Sequence, residues 1–208
     1  MVYSPSAIKS LQKEEPVSPT VYARSQYLLE QQRQSIYVRT DRMFAWLFIL
    51  QWIGAVFAAL IVSPYTWSGT QSSVHVHVWE AFLLGGIINC APLLLVIKKP
   101  GAEITRQTIA VAQMMWSGLL ISISGGRIET HFHVFGSLAF LAFYRDWRPL
   151  ITASVVAGLD HLFRGIYTPL SMYGVQHVEP WRWLEHTAWA VFSDFFLVIS
   201  IRHRFKDM

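Results

Sequence analysis

The sequence predicts an all-α polytopic membrane protein, a bundle of six transmembrane helices with both termini in the cytoplasm. Three observations lead there. Of 208 residues, 53% are hydrophobic and only 14% are charged, with a mean hydropathy of +0.34. Soluble domains carry roughly 25% charge, so this chain lacks the residues that cover a water-facing surface. Its apolar residues gather into six runs, and its lysines and arginines fall unevenly between them. A soluble domain, a disordered chain and a nucleic-acid binder all fit poorly. The net charge of +4 and pI near 9.3 come from residues between apolar runs, where they orient a chain in a bilayer. The one cysteine, Cys90, lies inside an apolar run and excludes a disulfide framework or a cysteine-based zinc site.

Residues 1–19 are rich in Ser, Pro and charge and are expected to form a disordered tail. Over residues 20–42, Val21, Leu28, Leu29 and Ile36 recur at helical spacing, with Ser25 and Gln32 on the same face. That pattern predicts a weakly amphipathic cytoplasmic helix, lying on the membrane or against a partner. The first apolar run starts at Met43, so no signal peptide is expected. The six runs, within a domain over 43–202, cover roughly 43–62, 76–97, 107–124, 130–144, 149–167 and 183–201. The fourth reaches spanning length only by extending back through His133, His131 and Glu129. Turn residues separate the runs: Pro64 with Ser68 and Gly69, Lys98 to Gly101, Gly125 and Gly126, Asp146 to Pro149, and Pro169 to Pro180. Residues 203–208 form a short cytoplasmic tail. With the N-terminus inside, 14 Lys and Arg fall on the cytoplasmic side and 3 on the other, a strong positive-inside bias.

This topology gathers the histidines. His75 and His77 open the second run, His131 and His133 the fourth and His186 the sixth, while His161 lies near the end of the fifth. All six fall in the outer half, with Glu80, Glu129, Asp160, Glu179 and Glu185 nearby. Helical rise from the nearest basic anchor puts His133, Asp160 and His161 at roughly 18–20 Å, His186 at roughly 24 Å and Glu80 at roughly 27 Å. Ionisable groups at such depth must face the bundle interior and find partners. Glu129 with His133, and His77 with Glu80, share helical faces. His131 and His133 point about 200° apart, so His133 is the expected inward member and His131 comes second.

Imidazole and carboxylate without thiolate suit a transition-metal ion such as Zn, Cu or Fe. The candidate metal ligands are His77, Glu80, Glu129, His131, His133, Asp160, His161, Glu185 and His186. The competing reading makes these residues interhelical hydrogen-bonding groups or headgroup anchors. Haem b held by His133 and His161 is a further alternative. Asp194 reads as a single buried acid, bonded to Ser122 or Gln113 or lying on a polar path inward. Gln113, Met114 and Met115 read as packing, with thioether ligation of Cu(I) as the alternative. Tryptophans near the run ends make an aromatic belt. Phosphate-binding loops, nucleotide motifs and nucleophile triads are absent.

The run RIETHFHVFGSLAFLAFYRDWRP from Arg127, together with RTDRMFAWLFILQWI, ISISGG, LDHLFRGIY and PWRWLEHTAW, is distinctive. These segments resemble the six-span N-terminal membrane sensor region of certain bacterial hybrid histidine kinases, over about residues 37–202. Related regions precede chemoreceptor and diguanylate-cyclase modules. The resemblance implies a sensory module in the bacterial inner membrane that signals to a cytoplasmic kinase or another membrane subunit, and it allows a homodimer. Kinase activity is not implied, since the chain ends seven residues after the last run with no phosphoacceptor or ATP-binding segment. A membrane metalloenzyme with Glu80, Glu129 or Asp160 as base, and an accessory subunit of a larger complex, are the other expectations.

Overall fold

Helix α1 (Pro19–Val62) opens the fold in a computed structural model that describes residues 18–206. The tail expected over 1–19 therefore lies, up to residue 17, outside the described residues. The chain divides into one unit up to Ser35 and a second from Ile36 onward. The expected separate helix over 20–42 is instead the start of α1, with no break at residue 42, and in the first unit Val21, Tyr22, Tyr27 and Leu28 are exposed along it.

In the second unit, a hairpin of β1 (Tyr65–Ser68) and β2 (Gln71–Val74) follows α1. Its two-residue turn places Gly69 at φ 62°, a conformation that glycine adopts freely. Five further helices follow: α2 (Val76–Lys98), α3 (Glu103–Ile123), α4 (Ile128–Leu141), α5 (Arg148–Tyr167) and the short α6 (Pro169–Tyr173). Helix α7 (Arg182–Lys206) closes the chain and runs past the expected boundary at 202. Among the described residues three helices, α1, α2 and α7, are long and apolar enough to cross a membrane.

The core forms around α3. Trp116 and Ile109 of α3 are fully buried, in one cluster with Phe44 and Phe48 of α1, Ala81 of α2, Leu138 of α4 and Ala153 of α5. Small residues let the backbones approach closely, as in membrane-helix packing. At Gly85 of α2 a Cβ would lie 2.8 Å from the rings of both Trp116 and Trp52. Helix α2 takes a π turn over Glu80–Leu84, which changes the carbonyl pairing, and Trp52 Nε1–H donates to Phe82 O at 3.0 Å there.

Asn89 joins three helices. Its Nδ2–H donates to Phe48 O at 3.2 Å, and its Oδ1 accepts from Trp116 Nε1–H at 2.8 Å. Asn89→Ala leaves the indole N–H buried without an acceptor. It is expected to cost about 1–3 kcal/mol, read as a lowered melting temperature in detergent.

A second polar knot lies at the end of the bundle where α3 begins. Asp41 is fully buried, accepting from Tyr144 O–H and from Gly101 N–H, each at 2.6 Å. Arg106 Nη1–H donates to Gly101 O at 2.8 Å, and Arg106 pairs with Asp146 at 3.4 Å while its guanidinium covers the Tyr37 ring at 3.8 Å. The knot ties α1 to the α2–α3 turn and to the turn after α4.

Candidate functional site

Three histidines converge from α4, α5 and α7. The ring centroids of His131, His161 and His186 lie 5.6, 5.5 and 5.4 Å apart, a nearly equilateral triangle. Each ring is oriented in the same way. Nδ1 of His131 lies 2.9 Å from Arg127 O, that of His161 2.8 Å from Ala157 O and that of His186 3.1 Å from Arg182 O. A carbonyl only accepts, so each Nδ1 carries the proton and each neutral ring keeps its lone pair on Nε2. Nε2 of His161 and of His186 takes part in no hydrogen bond among the described residues, and that of His131 is buried without a well-formed one, its ring lying against the Met172 carbonyl. The rings border a cavity of about 20 Å³, also lined by Val134, Ala157, Gly158 and Thr187. That is room for one water or one ion.

Tyr173 of α6 is the fourth ring, with centroids 6.3, 6.4 and 5.3 Å from those of His131, His161 and His186. Burial pushes its phenol up to about 12, so it stays a neutral O–H at physiological pH, and its oxygen has no partner. Two contacts hold α6 in place. Arg164 bridges to it, with Nη1 3.4 Å from Ser171 Oγ and Nη2 3.3 Å from Met172 Sδ. Gly126 and Gly174, at φ 75° and 70°, meet backbone to backbone; a Cβ on Gly126 would fall 2.2 Å from Gly174 N.

The other expected ligands are placed elsewhere. His133, the expected inward member of the His-x-His pair, turns to α1 and α3. Its Nε2 accepts from Gln51 Nε2–H at 2.9 Å and its Nδ1 lies 2.8 Å from Ser117 Oγ, which donates to Gln113 O at 3.1 Å. Both nitrogens are used, which leaves none for a ligand, and the order of His131 and His133 is the reverse of the expected one. His131, and not His133, meets His161 and His186. His133, the expected haem partner of His161, bonds to Gln51 and Ser117 and does not line the cavity bordered by His161.

Asp160 is bound by Arg164 four residues on, at 2.9 Å, and lies against Gly118 of α3. His77 packs on His75, ring centroids 4.3 Å apart, and no hydrogen bond or ring contact joins it to the triangle among the described residues. Glu80 opens the π turn with Oε2 buried and unpartnered. Glu129 and Glu185 are exposed. Among the described residues no carboxylate hydrogen-bonds to the three rings. Asp194 accepts from Ser154 Oγ–H at 2.6 Å, not from Ser122 or Gln113, which pair with Ser171 and Ser137. Among the described residues, no group of three or more His, Cys, Asp and Glu could hold a metal ion as the side chains stand.

Tyr173 and Arg164 were missed in the sequence. Thr168-Pro169 and Gly174 did bracket a short helix, with Pro at its start and Gly just past its end, but nothing local indicates that it folds back onto the histidines.

A helical fold with three apolar helices of spanning length marks a membrane protein. Over 106 residues, half of its length, the chain is 29% identical to the transducer protein Htr8 of Halobacterium salinarum, and it covers 16% of that protein. That similarity supports a relation to signal transducers. No family model matches the chain, and no solved structure matches it.

Proposed function

We propose that the chain is the membrane-embedded input module of a signal transducer, with six spans, both termini in the cytoplasm and a transition-metal site at His131, His161 and His186. The observation that carries the reading is the triangle of rings, whose Nε2 atoms make no well-formed hydrogen bond among the described residues. Three imidazoles bound through Nε2 at about 2.1 Å would hold their centroids roughly 5.2–5.6 Å apart. The measured separations are 5.4–5.6 Å. Each Nδ1–H is already fixed by a carbonyl, the outer-shell contact that orients a metal-bound histidine. Closing on an ion then requires small rotations of the rings. Zn, Cu and Fe are all compatible with such a donor set, and Tyr173 lies where it contacts a fourth ligand.

Because the three rings come from α4, α5 and α7, an ion bound among them draws these helices together. Helix α7 would carry that displacement to its C-terminal end, toward a cytoplasmic kinase or another output module. A differential contact of a few kcal/mol suffices to shift a two-state bundle.

The test is metal content of the full chain purified in detergent. About one equivalent is expected, falling at least tenfold in His161→Ala and His186→Ala and unchanged in His133→Ala and His77→Ala. Metal-free native protein, or equal loss in His133→Ala, overturns the site. A reporter fused after Met208 is expected to be active only in the cytoplasm, which checks the topology separately.

A further inference from the structure

Between α5 and α7 runs a long groove of about 620 Å³, lined by apolar side chains with Ser154, Thr187, Asp194 and, at one end, Arg202. Its rims, Val155, Leu159, Val191 and Phe195, are exposed on the outside of the bundle. Asp194 breaks the apolar lining. Asp194 is 5% exposed, its Oδ2 accepts from Ser154 Oγ–H, and its Oδ1 is buried with no hydrogen-bond partner among the described residues. A buried carboxyl oxygen without a hydrogen bond costs free energy, and in hydrocarbon no water supplies one. The volume lies within the range of small-molecule sites, and such sites pair an apolar lining with a few placed polar groups.

We propose that this groove binds a membrane-soluble molecule bearing a hydroxyl group, with the hydroxyl on Asp194 Oδ1 and the apolar body along α7 toward Trp183. A hydroxyl suits either protonation state of the carboxyl group, donating to it when charged and accepting from it when neutral. A plain acyl chain fills the same space but leaves Oδ1 unpaired. The groove shares Gly158 and Thr187 with the histidine cavity, and a Cβ on Gly158 would come 3.1 Å from Thr187. Occupancy of the groove therefore bears on the wall that separates it from the three rings. The proposal rests on the membrane reading and is independent of a metal.

The test uses ω-bromoundecanol and bromoundecane as probes of the full chain in lipid nanodiscs, with tryptophan fluorescence as readout. Trp183 lines the groove 11 residues before Asp194, roughly 16 Å along the helix, within reach of the far end of an undecyl chain. The alcohol is expected to quench Trp183 saturably at roughly tenfold lower concentration than the bromoalkane, the quenching assigned by its loss in Trp183→Phe. Asp194→Leu should erase that preference, and Asp194→Asn, which keeps an acceptor, should retain most of it. Val155→Phe narrows the groove with Asp194 intact and adds no fluorophore that the readout sees, and it should weaken saturation at least tenfold. Equal potency of the two probes means that the groove takes acyl chains only and overturns the proposal. So does quenching unmoved by Asp194→Leu, or absent in native protein whose groove is closed by a second copy. The reporter after Met208 tells these results apart from a failure of the membrane reading.

Discussion

Asp41→Ala is expected to lower stability by about 2–5 kcal/mol, because two buried donors are each left without an acceptor. Two donors lose their acceptor at once: Tyr144 O–H and Gly101 N–H, both at 2.6 Å and both in the protein interior. The turn between α2 and α3 then loses its anchor on α1, and the Arg106 guanidinium, bonded to Gly101 O, loses the geometry that keeps it buried. Thermal unfolding in detergent is the measurement. Tyr144→Phe removes one of the two bonds and should cost less, about 1–2 kcal/mol, although it leaves Oδ1 unpaired. A drop for Asp41→Ala no larger than for Tyr144→Phe would show that the knot does not act as a unit.

Gly126→Ala is expected to cost about 2–5 kcal/mol. A left-handed backbone costs an L-residue about 1–2 kcal/mol, and overpacking adds about 1–3. The second contribution has a specific cause here. The new methyl would meet Gly174 N at 2.2 Å and Tyr173 backbone atoms at 2.8–2.9 Å, so it meets main chain that cannot rotate away. The α3–α4 connection and α6 must separate, drawing Tyr173 off the three histidines. Hydrogen exchange should report this locally. The amide of Gly174, bonded to Leu170 O at 3.0 Å, is expected to lose protection, while amides in the middle of α3 keep theirs. Gly136→Ala is the control: a Cβ there meets nothing within 4 Å, and the change should be neutral or slightly stabilising. Equal effects at both glycines would refute the packing argument.

The helical segments were legible in the sequence because apolar runs and turn residues mark them. The run at 149–167 is α5 from Arg148 to Tyr167, and the run at 76–97 is α2 from Val76 to Lys98. Height along a helix was also legible, since a fixed rise turns residue counts into depth; it brought His131, His161 and His186 to one end of the bundle. Rotation about the helix axis was not. Whether His131 or His133 faces α5 depends on which side of α4 packs there, and both sides carry a histidine beside apolar residues. The side was settled by Gln51 and Ser117, polar groups on α1 and α3 that satisfy His133 and whose position no local pattern gives. The hairpin at Tyr65–Val74 shows in the sequence only as a break between apolar runs. Its strands have four residues each and expose every side chain, so no buried alternation marks them.

The buried position of α3 has a consequence for biogenesis. This helix carries Arg106, Gln113 and Ser117 on surfaces that other helices cover, and it needs those covers before it leaves water. Helices α1 and α2 are apolar enough to partition into lipid as they emerge from the ribosome. Helix α3 gains a full set of neighbours only after α5 has been synthesised. Truncating the nascent chain before Arg148 should therefore leave α3 open to protease from the aqueous side, whereas in a chain ending after Tyr167 it should be protected.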